Sequence, residues 1–231
     1  MRPWPGHLFS RSQLLERTWT PRLFLVVAVV VTAIFTRGLW VAHIGRMLVC
    51  VADPIPSELI VLENLDPNYL VFERAAALQR AGLATRALIP VQRSPDRGRA
   101  NPVSEGIAEL MARQARLTAW RVIPIAESEP ISLNAASQIR NHLAHEGITS
   151  LIVVAPGFRS QRSYLVYRAM LDDLGIRVSC SPVFGSTAPD SWSSTWHGIQ
   201  EVTEQFLKLQ YYRVYVLPFV SPGPRPGPGQ G

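Results

Sequence analysis

Short apolar runs alternate five times with longer amphipathic stretches between residues 58 and 215. The clearest run, LIVV at 151–154, has no polar position, which is typical of a strand buried on both faces of a sheet. The residues APG at 155–157 end it, and a helical pattern begins at about Ser160. The same pattern predicts strands over residues 58–63, 86–91, 121–126, 151–155 and 176–182.

The amphipathic stretches place their apolar residues on one face of a helix. They predict helices over residues 69–82, 102–117, 131–147, 160–175 and 191–215. Strands and helices that alternate at this spacing form a parallel sheet with right-handed crossovers. We therefore expect an α/β fold, a Rossmann-like three-layer sandwich with a mostly parallel five-stranded sheet.

A continuous apolar stretch over residues 23–36 contains no charge and follows four arginines. Its fourteen residues are fewer than the roughly 20 that span a bilayer, but extension to Ile44 supplies that length. We predict one transmembrane helix over residues 22–44, with the N-terminus in the cytoplasm and the remainder of the chain outside. A cleaved signal peptide is the alternative, although no small-residue cleavage site follows the stretch.

Prolines help to divide the rest of the chain. Three prolines before residue 22 disfavour a long helix over the basic segment. The DPIP sequence at 53–56 predicts an extended linker, and SPGPRPGPGQG at 221–231 predicts disorder. The predicted regions are a basic N-terminal segment (1–21), a transmembrane anchor (22–44), a linker (45–56), the α/β domain (57–217) and a Pro/Gly tail (218–231).

The basic character of the chain does not indicate nucleic-acid binding. The net charge of +6 comes almost wholly from arginine, with Lys208 as the only lysine, and the arginines are spread along the chain. The two cysteines, Cys50 and Cys180, are too few for a zinc site. They leave open a disulfide in an extracytoplasmic domain or, for Cys180, a buried apolar role.

Polar residues follow the predicted strands, whose carboxyl ends meet at one edge of a parallel sheet. Four carboxylates are candidates for catalysis or for holding a cation: Glu63, Asp66, Glu105 and Glu127. Seven further residues are candidates for ligand binding: Asn64, Arg93, Ser104, Ser132, Asn134, Arg159 and Arg162. Arginines beside the free N–H groups of a helix start favour an anion such as a phosphate.

Some of these residues have simpler explanations. Ser104 and Ser132 lie where helix N-caps are expected, and Glu105 lies in a first helical turn, where the helix dipole favours an acid. The chain has no Gly-x-Gly-x-x-Gly after its first strand and no Gly-x-Ser-x-Gly turn. Neither a dinucleotide site nor a serine-hydrolase mechanism is indicated, and the sequence specifies no cofactor and no particular metal.

The order of motifs over residues 56–216 resembles the YdcF-like family, the SanA/ElyC type of membrane-anchored envelope protein. The matching segments are SELIVL at 57–62, FERA at 72–75, VSE at 103–105, Glu127 with SLN at 132–134, VVAPGFRSQRSYLVYR at 153–168 and FLKLQYYR at 206–213. The resemblance implies an N-terminal membrane anchor, a Rossmann-like domain, and a role in the cell wall (peptidoglycan) or the envelope barrier.

The chain diverges from that family in its turns. The ENLDP sequence at 63–67 replaces a glycine-rich turn, QRS at 92–94 replaces Ser-Gly-Gly, and Arg159 stands where the family has a histidine. Without those glycines a ligand approaches the backbone less closely, and without the histidine the obvious general acid/base is missing. We therefore expect binding rather than catalysis.

Three functions follow from these expectations. The first is an inner-membrane envelope protein that binds an anionic small molecule or lipid-linked ligand through Arg159 and Arg162. The second is a metal-assisted hydrolase or transferase that uses the carboxylates on a phosphorylated or lipid-linked envelope precursor. The third is a non-catalytic scaffold domain for envelope protein partners.

Overall fold

The computed structural model describes residues 11–94 and 98–220, except for the side chains of residues 11–18 and 20. The chain divides into two units, Met1–Val41 and Ala42–Gly231. The disorder expected at 221–231 lies outside the described residues, as do the first ten residues of the basic segment.

Two consecutive helices begin the described chain. Helix α1 (Arg11–Phe35) continues through Pro21, so the expectation that prolines prevent a long helix here is wrong. A proline removes one N–H donor and crowds the preceding turn, a local cost that does not end this helix. Helix α2 (Arg37–Met47) follows after Thr36, and the two axes are bent by 67°.

Local hydrogen bonds accompany the bend. The hydroxyls of Thr32 and Thr36 donate to Ala28 O (2.8 Å) and Thr32 O (2.7 Å), and such back-bonding often bends helices. The indole Nε1 of Trp40 donates to Ala33 O at 3.1 Å. That carbonyl would accept from the amide four residues later in a continuous helix. The prediction of one uninterrupted helix over 22–44 is therefore wrong.

Within residues 11–94 and 98–220, no single helix is both long enough and apolar enough to cross a membrane. The pair Pro21–Phe35 and Arg37–Met47, bent by 67°, reaches that length and composition together. Most large apolar side chains between Leu23 and Phe35 are exposed.

The second unit contains a five-stranded sheet in the order β3-β2-β1-β4-β5, and every pairing is parallel. The strands are β1 (Leu59–Leu62), β2 (Arg86–Gln92), β3 (Trp120–Ile125), β4 (Ser150–Pro156) and β5 (Arg177–Val183). In the centre of the sheet, Val61 of β1 lies between Leu88 of β2 and Val153 of β4. The predicted parallel sheet is confirmed.

Five helices connect and cover these strands. They are α3 (Tyr69–Arg80), α4 (Pro102–Gln114), α5 (Ile131–Leu143), α6 (Ser160–Leu171) and α7 (Trp196–Tyr211). Gly82 follows the C-cap of α3 with positive φ, the backbone geometry that commonly follows a helix end. Helix α5 ends at Leu143, four residues before Gly147, so its predicted end at 147 is wrong. Helix α7 begins at Trp196 rather than 191, because the hydroxyl of Thr195 caps it by accepting from the Gly198 amide at 3.1 Å.

The apolar core lies on both faces of the sheet. Ile60 packs in one cluster with Phe72 of α3, and Val61 packs in the other with Ile139 of α5 and Val166 of α6. All five are fully buried, and burial of side chains of this size contributes about 2 kcal/mol each. The three-layer arrangement is therefore confirmed.

The strand order places a topological switch point between β1 and β4. From β1 the chain winds outward through β2 and β3, and it then returns to the opposite side of β1 as β4. In open α/β sheets, ligands bind beyond the carboxyl ends of strands at such a point. The residues that follow β1 and β4 are therefore the first place to look for a site.

Residues 48–52, part of the predicted linker, are attached to the domain. Cys50 forms a disulfide with Cys180 of β5, one of the two roles that the sequence left open. The Cys180 amide donates to Ala52 O at 3.0 Å, and the Cys50 amide donates to the hydroxyl of Ser160 at 3.0 Å. The disulfide thus joins this segment to the β4–β5 side of the sheet.

Candidate functional site

Arg159 lies at the switch point and joins the turns that follow β1 and β4. Its Nη2 is 2.9 Å from Asp66 Oδ2, and its Nη1 is 3.8 Å from Glu63 Oε1. The hydroxyl of Ser163, one turn further along α6, donates to the other oxygen of Glu63. Glu63 and Asp66, two of the predicted carboxylates, therefore form ion pairs with Arg159, the arginine that was predicted to bind an external anion.

The electrostatic balance at this point keeps the guanidinium charged. Burial alone would lower the pKa of Arg159, but the charges of Glu63 and Asp66, together with the Asp66 hydrogen bond, raise it above its ordinary value. The two carboxylates differ in exposure: the Glu63 side chain is 10% exposed, and that of Asp66 is 75% exposed. Only Asp66 is readily exchanged for another anion.

A small cavity lies beneath this ion pair. Its volume is about 10 Å³, room for about one water molecule, and its lining includes Glu63, Ser132, Ser163 and Tyr167. Burial, and then the negative charge of Glu63, raises the pKa of Tyr167, so its phenol stays protonated. At the switch point itself the edge of the sheet is therefore nearly closed.

Arg162 is buried one helical turn from this pair. Its Nη2 donates to Gln205 Oε1 at 3.3 Å, and its guanidinium lies 5.4 Å from the ring centroid of Tyr212. The Tyr212 hydroxyl in turn accepts from the amide of Ser132 at 3.2 Å. Ser132 therefore contacts this cluster through its backbone amide, and it is not the N-cap of α5, because that position is Pro130.

Three buried polar atoms near the switch point have no hydrogen-bond partner among the described residues: Asn64 Oδ1, Arg159 Nε and Arg162 Nε. Asn64 donates its Nδ2 to Pro90 O at 3.2 Å, which fixes the side chain against β2. Unpaired buried polar atoms are costly, so each is a position where a water or a ligand atom gains a hydrogen bond.

Five other predicted residues do not join this cluster. Within the described residues, none of the five forms a hydrogen bond or an ion pair with Glu63, Asp66 or Arg159. The five are Arg93, Ser104, Glu105, Glu127 and Asn134.

Each of these five has a role elsewhere or remains exposed. Glu127 accepts from Gln92 Nε2 at 2.9 Å, and Arg93 is exposed after β2. Ser104 and Glu105 lie in the first turn of α4, whose N-cap is Asn101 rather than Ser104. Asn134 makes side-chain hydrogen bonds to its neighbours in and before α5.

The carboxylates do not form a metal centre. Among the residues that the structure describes, no group of three or more His, Cys, Asp or Glu side chains is arranged to hold a metal ion. Glu63 and Asp66 pair with Arg159 instead, so their negative charges are neutralised by the guanidinium. The described residues therefore provide no set of metal ligands for the predicted metal-assisted hydrolase.

A second, open pocket lies along the same sheet edge, between the turns after β4 and β5. It has a volume of about 180 Å³ and a lining that includes Asn68, Gly157, Ser186, Thr187 and Glu201. Partial burial, helped by the charge of Glu204 and opposed by that of Arg159, raises the pKa of the Glu201 carboxyl. None of the sequence-predicted site residues follows the fifth strand, so this pocket was not expected, although FGST at 184–187 is a polar turn after that strand.

The fold and the edge together define a class: a parallel α/β domain with a Rossmann-like strand order and a charged switch point in place of a glycine-rich loop. No family model, curated protein or solved structure matches this chain. The resemblance to the YdcF-like family therefore stays a prediction.

Proposed function

We propose that this chain is a membrane-anchored binding protein of the cell envelope. Its α/β domain lies outside the cytoplasm and holds an anionic, phosphate-bearing ligand, small or lipid-linked, at Arg159. It serves maintenance of the cell wall or the envelope barrier, as proteins of the YdcF-like type do, and it acts by binding rather than by catalysis.

The observation that carries the ligand proposal is the unequal pair of carboxylates on Arg159. Glu63 is buried and hydrogen-bonded to Ser163, so it stays in place. Asp66 is 75% exposed and offers Arg159 a single hydrogen bond of 2.9 Å. A phosphate forms charge-assisted hydrogen bonds of the same kind, and it replaces Asp66 without disturbing the buried pair.

Two features support the location. The apolar side chains of α1 are exposed over residues 23–35, and arginines precede them, as in cytoplasmic flanks of membrane segments. The disulfide between Cys50 and Cys180 favours an oxidising compartment outside the cytoplasm. The bent pair α1–α2 is the anchor in this proposal, with the N-terminus in the cytoplasm.

Thermal unfolding of the full chain tests the ligand site, in an amine-oxide detergent that carries neither phosphate nor sugar. Inorganic phosphate and a prenyl phosphate are the probes. A ligand that binds the folded state raises the melting temperature. Asp66→Asn removes the competing charge and should increase that rise, whereas Arg159→Gln should abolish it.

The matched control is Asp190→Asn, an equally exposed aspartate paired with Arg46 elsewhere in the domain. It should respond to both probes as the wild-type chain does. No rise for either probe, with the wild-type chain and with Asp66→Asn, would refute the anion site.

Reporter fusions test the location separately. Alkaline phosphatase fused after Gly231 should be active in intact cells, because this enzyme folds only where disulfides form. A β-galactosidase fusion at the same position should be inactive. The reverse pattern would place the domain in the cytoplasm.

The second candidate function is a non-catalytic scaffold domain. The observation that favours it is the nearly closed edge at the switch point, where the cavity beneath Glu63 has room for only about one water molecule. In this case neither Asp66→Asn nor Arg159→Gln changes the response to phosphate, and both variants retain the envelope phenotype of the wild-type chain.

A further inference from the structure

We propose that the open pocket between the turns after β4 and β5, hereafter the β5 pocket, binds a single sugar ring. This inference goes beyond the anion proposal, because none of the residues that carry it is Arg159 or a partner of its ion pairs. The pocket lies at the carboxyl edge of the sheet, which is where open α/β folds bind ligands.

Polar groups with unused hydrogen-bonding capacity line the pocket. Ser186 and Thr187 line the pocket, and their hydroxyls form no hydrogen bond within the described residues. Each hydroxyl can donate one hydrogen bond and accept others. The Asn68 side chain caps α3, because its Oδ1 accepts from the Leu70 amide at 3.0 Å. Its NH₂ group is then the part of the side chain that can donate to a ligand. This mixture of donors and acceptors matches a polyol.

Glu201 supplies a carboxyl group at the rim. A carboxylate accepts two hydrogen bonds side by side, so it fits the adjacent hydroxyls of a sugar, and charged acceptors form the stronger bonds. Glu201 is on the exposed side of α7 and lines the pocket together with Ser186 and Thr187. An anionic ligand would be repelled at this rim, which favours a neutral ring.

An aromatic ring completes the lining. Phe184 is half-buried and packs edge-on against Phe158, with ring centroids 5.7 Å apart. A Cβ at residue 157 would lie 2.1 Å from Phe184 Cε1, so Gly157 is required for this packing. The C–H face of a sugar packs on such rings, because an aromatic ring combines a large apolar surface with a negative face.

The volume selects the size of the ligand. At about 180 Å³ the pocket is smaller than the roughly 300 Å³ at which pockets for drug-sized molecules begin. It holds one sugar ring and excludes a nucleotide. The affinity of so small a ligand is modest, so detection requires millimolar concentrations.

Saturation-transfer difference NMR on the full chain tests the proposal, in the same amine-oxide detergent. The probes are glucose, galactose, mannose, ribose and N-acetylglucosamine, each at millimolar concentration. At least one should receive saturation from the wild-type protein. Thr187→Val, which replaces a hydroxyl by a methyl group, and Glu201→Gln should each reduce that signal about fivefold, the effect of one lost hydrogen bond.

Gly185→Leu is a second kind of variant that blocks the pocket without removing a polar group. A Cβ at this position meets only Leu70 Cδ1, at an ordinary 3.5 Å, so the first side-chain atom causes no clash. The control is Glu109→Gln, a partly exposed carboxylate on α4 that should leave the signal unchanged. Circular dichroism verifies that each variant is folded.

The outcomes separate this proposal from the anion site. Loss of the sugar signal in Gly185→Leu, with the signal retained in Arg159→Gln, supports the β5 pocket whether or not phosphate binds. The proposal is overturned if none of the five sugars receives saturation from the wild-type chain. It is equally overturned if folded Thr187→Val and Gly185→Leu retain the full signal.

Discussion

Two arginines of the α/β domain are held by carboxylates in different ways. Arg140 of α5 faces Asp173 with two nitrogens, of which Nε is 3.2 Å from Oδ1, and the side chains of both residues are at most 13% exposed. Arg159 has one buried partner, Glu63, and one partner, Asp66, that is 75% exposed. Both pairs hold elements together, but only the second includes a partner that solvent reaches.

The difference separates a structural ion pair from a candidate site. The forked pair at Arg140 satisfies a planar guanidinium from one side through a carboxylate that is only 13% exposed. Arg159 has an unpaired buried Nε and an exposed carboxylate on Nη2. Changes at Asp173 should therefore affect stability, and changes at Asp66 should affect binding.

The largest expected effect concerns the disulfide, which joins residues 48–52 to β5. Replacing both Cys50 and Cys180 by alanine should lower the free energy of unfolding by about 3–5 kcal/mol, because the bond closes a separation of 130 residues. Urea denaturation of the full chain in detergent measures this. The loss should add to that of Asp173→Ala, with which it shares no partner.

Unchanged urea midpoints in the double cysteine variant would show that the disulfide contributes nothing to this fold. A loss that is strongly non-additive with Asp173→Ala would show that the two ends of the domain are coupled, and the comparison of independent arginine sites would fail.

The next effect concerns the structural pair. Asp173→Ala should cost about 2–3 kcal/mol of unfolding free energy, because it leaves the guanidinium of Arg140 buried without its carboxylate. The control is Glu109→Ala on an exposed i,i+4 pair with Arg113, which should cost at most about 0.5 kcal/mol. Equal losses in the two variants would remove the distinction between buried and exposed pairs here.

The same pair predicts a pH dependence. The hydrogen bond from Arg140 lowers the pKa of Asp173 from its ordinary 3.8. Burial opposes that shift, and the charge of Arg140 adds to it. The stability that this shift contributes is therefore complete above 3.8 and is lost as the pH falls through the lower, folded-state pKa.

Urea denaturation from pH 6 down to about pH 2 measures that loss. The difference in unfolding free energy between the wild-type chain and Asp173→Asn should shrink below pH 3.8, since asparagine does not titrate. A difference that stays constant over this range would contradict the assigned role of the Arg140 charge.

The smallest effect on stability is expected at the exposed partner of Arg159. Asp66→Asn should change the unfolding free energy by no more than about 0.5 kcal/mol, because a solvent-exposed ion pair contributes little. Glu63→Gln at the buried partner should cost about 1–2 kcal/mol, since it weakens the bonds to Ser163 and Arg159. The reverse order would identify Asp66 as structural.

Much of the α/β fold follows from local pattern. The strand at 151–154 and the helix from Ser160 were both expected, because a run without polar positions can be buried only in the middle of a layered fold. Gly82 also marked the end of α3 to within two residues, whereas α5 ends at Leu143, four residues before the glycine expected to end it. Each of these signals lies within a few residues of the element it predicts.

The candidate site was predictable only in part. Glu63, Asp66 and Arg159 were expected at one edge because parallel strands bring their carboxyl ends together. Their ion pairing was not, since residues separated by more than 90 positions give no sequence signal of the distance between them. The bend after Phe35 was missed as well, because it involves the hydroxyls of threonines that an apolar average treats as neutral.

The sequence by itself determined the alternation of elements, their approximate bounds and the edge at which polar groups gather, because burial imposes a period on each element. The tertiary structure alone decided which of those polar groups neutralise one another and which remain open. Glu63 and Asp66 form ion pairs with Arg159, whereas Ser186 and Thr187 line an open pocket of about 180 Å³. The reason is physical: charge pairing and cavities depend on distances set by packing between layers, and no local pattern encodes those distances.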